Sequence, residues 1–179
     1  MLTCRRVALL ATIVSLAGCD RPVPRFSVDN ARAHVDMLAG TIGSRPVGSP
    51  ENARARQYII EQLQLYGFAV RVQETDARRA ELGRTAHLVN IIGVLNGSRR
   101  EAIGFLSHYD SVPDAPGGGD DASGVAVSLE AARVLAARQN RRHSLMVLVT
   151  DGEEAGLMGA AALMGDKEVA ERRAAYLNF

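Results

Sequence analysis

Three short stretches, residues 88–95, 102–107 and 145–150, are apolar almost without interruption. A strand with one face in water alternates apolar and polar residues, so an unbroken run of this length reads as a strand covered on both sides. Segments of helical periodicity lie between and around these runs. Residues 122–138 put Val125, Leu129, Ala132 and Leu135/Ala136 on one side, and a shorter helix fits residues 156–164. Covered strands alternating with helices predict an α/β fold whose sheet is substantially parallel.

The segments upstream fit the same scheme. Ser27 can cap a helix through about Ala39, and Ser49-Pro50 is a stronger start, a capping hydroxyl followed by proline at the first helical position. The second helix should end at Gly67 and bury Ala53, Ile60, Leu63 and Gly67, with Ile59 and Tyr66 beside them and Arg54 and Arg56 in water. Phe68, Val70 and Val72 then alternate with Ala69, Arg71 and Gln73, the pattern of an edge strand, and a polar loop follows.

Composition narrows the function. With 47% hydrophobic and 23% charged residues, the 179-residue chain has the make-up of one folded domain. Its net charge of +1 lacks the electrostatic footprint of a nucleic-acid binder. Both cysteines, Cys4 and Cys19, lie at the N-terminus, so no disulfide framework holds the body together.

The N-terminus reads as an address. Arg5 and Arg6 precede an apolar run over residues 7–16, too short for a spanning helix of about 20 residues. Leu16-Ala17-Gly18-Cys19 resembles a bacterial lipobox, which implies a signal peptide over 1–18 and membrane attachment through lipid on Cys19. An ordinary secretory signal that leaves Cys19 as a free thiol is the alternative, and both readings export the protein. Asp20 beside the lipid-bearing position implies, by resemblance to enteric lipoproteins, the periplasmic face of the inner membrane. Residues 19–26, with Pro22 and Pro24, read as an extended tether, and residues 27–179 as the folded part.

In open α/β sheets ligands gather beyond the carboxyl ends of the strands. Two such ends are densely polar here. Residues 102–107 open into Ser107-His108-Tyr109-Asp110-Ser111, followed by Pro116-Gly117-Gly118-Gly119-Asp120-Asp121-Ala122-Ser123-Gly124 at a helix entrance. Residues 145–150 open into Asp151-Gly152-Glu153-Glu154-Ala155-Gly156. The glycine-rich loop lacks the lysine of a phosphate-binding loop, and Asp120 and Asp121 would repel an anion. Ser123 lies outside the G-x-S-x-G setting of a serine hydrolase. One imidazole among carboxylates is a donor set for a divalent cation such as Zn2+. Taken singly, each residue has a plainer role: aspartate as a helix cap, glutamate in a wet loop, histidine packed in the core.

Taken in order, the three strings resemble the co-catalytic zinc exopeptidases of bacterial leucyl aminopeptidase, aminopeptidase Y and the endoplasmic-reticulum metallopeptidases, the M28-like peptidases. They read His-x-Asp after a strand, Gly-x-Asp-Asp-x-Ser-Gly at a helix entrance and Asp-Gly-Glu-Glu-x-Gly after the next strand. The resemblance runs over about residues 36–179 and takes in Gly43-Ser44-Arg45, Gly48-Ser49 and Asn90-Ile91-Ile92. It implies a three-layer zinc-peptidase-like mixed sheet with helices on both faces and a peptide substrate. It also implies two zinc ions per complete site, with His108 on one, Glu154 on the other and Asp120 bridging both. Glu153 would be the general base, and Asp110 would fix the second nitrogen of His108. A cis peptide between Asp120 and Asp121 is implied as well.

Those residues make physical sense in these roles. The two oxygens of Asp120 can face two cations about 3.5–4 Å apart. Glu153 and Glu154 would leave opposite faces of a continuing strand, so the chain must turn between Gly152 and Gly156 for them to share a site. The resemblance calls for two more ligands, an acidic residue just after a strand and a later histidine. Tyr176-Leu177-Asn178-Phe179 resembles that strand, and His34, His87 and His143 come too early for the histidine and read as structural or surface residues. The chain is therefore expected to be the N-terminal part of such an enzyme. Alone, it should bind zinc weakly, hydrolyse no peptides, expose apolar surface near Phe179 and tend to aggregate. Two other readings stay open: a glutaminyl-cyclase-like single-zinc acyltransferase and a lipid-anchored binding protein without catalysis.

Overall fold

The computed structural model describes residues 23–172 and 175–179. The expected leader, the expected lipid attachment at Cys19 and most of the expected tether fall within residues 1–22 and lie outside the described residues.

Helix α1 (Val28–Val35) starts at Ser27, whose hydroxyl accepts the Asn30 N–H, and gives way to a wider π-helical stretch, Asp36–Ile42. Helix α2 (Pro50–Leu65) is capped by Ser49 and followed by Gly67 at φ 88°. Strands β1 (Ala69–Arg79) and β2 (Arg84–Leu95) form a long hairpin, and β3 (Ala102–His108) leads through a turn at Gly118–Ala122 into α3 (Ser123–Ala136). The chain continues through β4 (Ser144–Thr150), two short helices, α4 (Met158–Leu163) and α5 (Lys167–Glu171), and β5 (Ala175–Asn178).

The sheet order is β1-β2-β4-β3-β5. β3 is parallel to both β4 and β5, whereas β2 runs antiparallel to β1 and β4. The sheet is thus mixed, as the resemblance implied, with its parallel strands on one side; only the substantially parallel sheet expected from the strand–helix alternation is not found.

The unbroken apolar runs are explained by two cores. Ile91, Phe105, Val147 and Val149 face one layer, where Leu38, Ile59, Leu63, Val125 and Leu129 pack on them. Ile92, Val94, Met146 and Leu148 face the other, against Leu163 with Val169 at its margin. Each fully buried Leu, Ile or Val contributes about 1.5–3 kcal/mol relative to exposure.

Three sequence expectations need correction. The buried face of α2 is Asn52, Ala55, Ile59 and Leu63, with Ala53 and Ile60 only half-buried and Gly67 exposed beyond the helix end. Asn52, outside the apolar pattern, is buried all the same, because its amide donates to Asp151 Oδ1 at 2.9 Å. Arg56 is half-buried beside the Tyr109 hydroxyl. The polar stretch after Gln73 continues β1 as far as Arg79, because the hairpin arm extends beyond the core and needs no apolar side chains.

On the outer side, β5 is an edge strand with Tyr176, Leu177 and Phe179 exposed. An apolar cleft of about 340 Å³ lies between it and α4–α5, lined by Leu106, Leu148, Leu163, Met164, Val169 and Tyr176.

Candidate metal centre

The parallel register sets His108 opposite Thr150, so the polar sequences that follow β3 and β4 emerge side by side. Asp121 joins the third polar segment to them: one carboxylate oxygen accepts the His108 N–H at 3.1 Å, and the other accepts the Gly124 N–H at 2.9 Å. It thereby locks the end of β3 to the first turn of α3. A Cβ on Gly124 would sit 2.2 Å from that carboxylate, so the glycine is a packing requirement. The Asp120–Asp121 peptide is cis, as expected.

His108, Asp120 and Glu153 converge. His108 Nε2 lies 2.9 Å from Asp120 Oδ1 and 3.9 Å from Glu153 Oε2. On the other side of the ring, Nδ1 is 3.2 Å from the Asp110 carbonyl and 3.4 Å from its carboxylate. Burial alone lowers the His108 pKa, but the carboxylates of Asp110, Asp121 and Glu153 outweigh it and hold the imidazole at about 9. Glu154 belongs to the same acidic neighbourhood: burial raises its pKa, and the charges of Asp120 and Glu153 push it further up.

The turn that brings both glutamates to one site is built as the glycine spacing requires, with φ 64° at Gly152 and 114° at Gly156. Asp110 organises it. Its fully buried carboxylate accepts the Glu153 N–H through Oδ1 and the Glu154 N–H through Oδ2, each at 3.1 Å. This contact was not foreseen from the sequence, where Asp110 was assigned only to the imidazole.

Three further residues hold the loops in place. Arg45, fully buried, donates to the carbonyls of Leu38, Gly43, Tyr109, Pro116 and Gly117, and so ties the segments around His108 and Asp120 together. Its pKa is lowered by burial, against the opposing pull of Asp110 and Asp121. Asp151 accepts from the Asn52 amide, the Val89 N–H and the Gly152 N–H. Asn90 accepts the Asp151 N–H and donates to Gln73 and to the Gly159 carbonyl, which anchors β1, β4 and α4 at one point. Arg45 and Asn90 stood in the sequence only as parts of motifs.

The donors are of the right chemistry for zinc, a borderline cation that takes imidazole and carboxylate. As placed, however, no group of three or more His, Cys, Asp or Glu side chains among the described residues is arranged to hold a metal ion.

Solved proteins share this architecture. Porphyromonas gingivalis glutaminyl cyclase superposes with a TM-score of 0.77 at 23% identity, over 86% of this chain and 58% of that one. A leucine aminopeptidase precursor from Bacteroides thetaiotaomicron gives 0.76 at 23% identity, over 88% and 63%. The class of fold is thus that of the zinc exopeptidases and glutaminyl cyclases. Residues 90–179, half of the sequence, match the model of peptidase family M28. This chain belongs to peptidase family M28, a family of metallopeptidases. A Schizosaccharomyces pombe protein named after endoplasmic reticulum metallopeptidase 1 is 34% identical over 160 residues, 73% of this chain but 19% of the length of that relative.

Proposed function

We propose that this chain carries the first half of a two-zinc exopeptidase site of aminopeptidase type, acting on peptides. The observation behind the reading is the meeting of His108 Nε2 and Asp120 Oδ1 at 2.9 Å, with Glu153 and Glu154 on the adjacent turn. His108 and Asp120 would hold one zinc, and Asp120 and Glu154 the other. Bound zinc supplies Lewis acidity for the scissile carbonyl and for activation of water. Glu153, one-third exposed, takes a proton from the attacking water and returns it to the departing amine nitrogen. Asp110 fixes the amides of Glu153 and Glu154 and steadies the imidazole. The leader and lipid-bearing Cys19 add an envelope location to this proposal.

The residues named give each zinc two protein ligands, where catalytic zinc usually has three. The chain alone should therefore bind zinc weakly and turn over no peptide. Titration of Zn2+ into the 179-residue chain tests this: weak binding abolished by His108→Ala and by Asp120→Asn is expected. Binding indifferent to both variants overturns the site, and ready release of N-terminal residues by the wild-type chain overturns the shortfall. Cyclisation of an N-terminal glutamine with loss of ammonia would select the acyltransferase reading.

A further inference from the structure

The chain is nearly neutral overall, but its exposed, unpaired charge is unevenly placed. The ends of β3 and β4 that carry His108 and Glu153 gather Asp110, Asp120, Asp121, Asp151, Glu153 and Glu154. The opposite ends are flanked by two loops that are stitched together: Ser98 N–H donates to the Arg141 carbonyl, Arg99 N–H to the Arg142 carbonyl and Ser144 N–H to the Glu101 carbonyl. These loops bring Arg99, Arg100, Arg138, Arg141 and Arg142 to one pole, together with one exposed carboxylate, Glu101. Arg100 is neutralised by Glu171, and Arg141 turns inward to cap the Ala136 and Arg138 carbonyls. Arg99, Arg138 and Arg142 are exposed and have no carboxylate partner among the described residues.

The N-terminal segment leaves the fold on the same side. The Arg25 carbonyl accepts from Arg133 Nη2 at 3.1 Å, in the last turn of α3, and the Ser27 N–H donates to buried Glu130 at 2.7 Å. Helix α3 runs from Asp121, at the candidate metal centre, to the Arg138 loop. Its 14 residues span roughly 20 Å at 1.5 Å per residue.

We propose that this basic pole docks on an anionic phospholipid bilayer and that the acidic end, with the candidate metal centre, points away from it. Three arginines without counter-ions match a layer of lipid phosphates, whose attraction acts within a Debye length of the surface. A molecule that approaches with its carboxylate-rich end first is repelled by the same surface, so the field favours docking through the arginines. A tether leaving beside the basic pole brings any anchor in residues 1–22 to the face that the bilayer attracts. The proposal is independent of catalysis.

Flotation of the full chain with vesicles tests it. Vesicles of phosphatidylcholine with about one-third phosphatidylglycerol are compared with phosphatidylcholine alone, so that any apolar contribution of residues 7–16 cancels in the ratio, while the attraction of Arg5, Arg6 and Arg21 is common to the wild type and both variants. The ratio is expected to favour the anionic vesicles by roughly 10-fold or more, a few-fold for each of three arginines less the repulsion of Glu101, and to fall steeply with salt. The triple variant Arg99→Ala/Arg138→Ala/Arg142→Ala should lose most of that preference with its thermal midpoint unchanged. The charge-matched control Arg32→Ala/Arg54→Ala/Arg78→Ala should keep it. Equal binding to both vesicles, an equal loss in the control, or tighter retention of an oligonucleotide than of anionic vesicles overturns the proposal.

Discussion

The guanidinium of Arg45 donates from Nε to the carbonyl of Tyr109 at 2.8 Å, one residue past His108. The same group reaches the carbonyls of Pro116 and Gly117, three to four residues before Asp120. One buried cation therefore sets the spacing of two loops whose side chains meet at 2.9 Å. A methionine in its place would leave several inward carbonyls without donors, and each buried unpaired group costs about 1–3 kcal/mol. Arg45→Met is thus expected to destabilise the fold by at least about 3 kcal/mol in urea unfolding, and Arg45→Lys to recover only part of that, because an ammonium cannot span the fork.

Asp110 links the imidazole side of the centre to the glutamate side. Asparagine keeps the size but offers one acceptor oxygen, so the Glu153 and Glu154 amides at 3.1 Å cannot both be satisfied. Asp110→Asn should lower zinc affinity by about 10–100-fold, the range for partners that orient metal ligands, with only a modest fall in the thermal midpoint. Competition against a chelating dye measures the first and calorimetry the second. Unchanged affinity would show that the turn holds without the carboxylate.

These two residues mark where the sequence is legible and where it is not. The strands of residues 88–95, 102–107 and 145–150 were readable because burial on both faces leaves a compositional trace, and the loops around His108, Asp120 and Glu153 because polar residues cluster where buried strands end. The partner of a buried polar side chain leaves no such trace. Nothing in the sequence marks the Asp151 carboxylate 2.9 Å from the Asn52 amide, so the apolar pattern alone could not place Asn52 on the buried face of α2. Asp110 was read as serving the nearest histidine because the sequence cannot show that Glu153, 43 residues on, lies closer to its carboxylate. The antiparallel entry of β2 was missed because a covered strand has the same composition in either direction.

The packing of α4 depends on one glycine. A Cβ on Gly159 would lie 2.1 Å from the Asp151 carbonyl oxygen and 2.5 Å from Asn90 Oδ1, and neither neighbour is a flexible side-chain end free to move. Gly159→Ala must push the helix off the sheet edge and should cost about 1–3 kcal/mol or more. Gly165→Ala meets only the Ala162 carbonyl at 3.5 Å, an ordinary contact, and should be close to neutral. Chemical denaturation of the two variants side by side checks the contrast.

His34 gives the fold a pH dependence remote from the metal centre. Its ring is buried between two tyrosines, with Nδ1 2.5 Å from the Tyr58 hydroxyl and Nε2 3.4 Å from that of Tyr66. Burial lowers its pKa below 6.5, Arg133 lowers it further and Glu130 opposes both, so the folded state favours the neutral ring. The unfolded chain binds this proton more readily than the folded one. The contribution is therefore fully present above about pH 6.5 and is lost as the pH falls through the lower folded value. His34→Gln removes the titration. Its stability between about pH 6.5 and 5 should decline less than that of the wild type, and the two urea midpoints should draw together as the pH drops. Parallel curves for the two proteins across that window would show that the ring accepts its proton without disturbing the tyrosine pair.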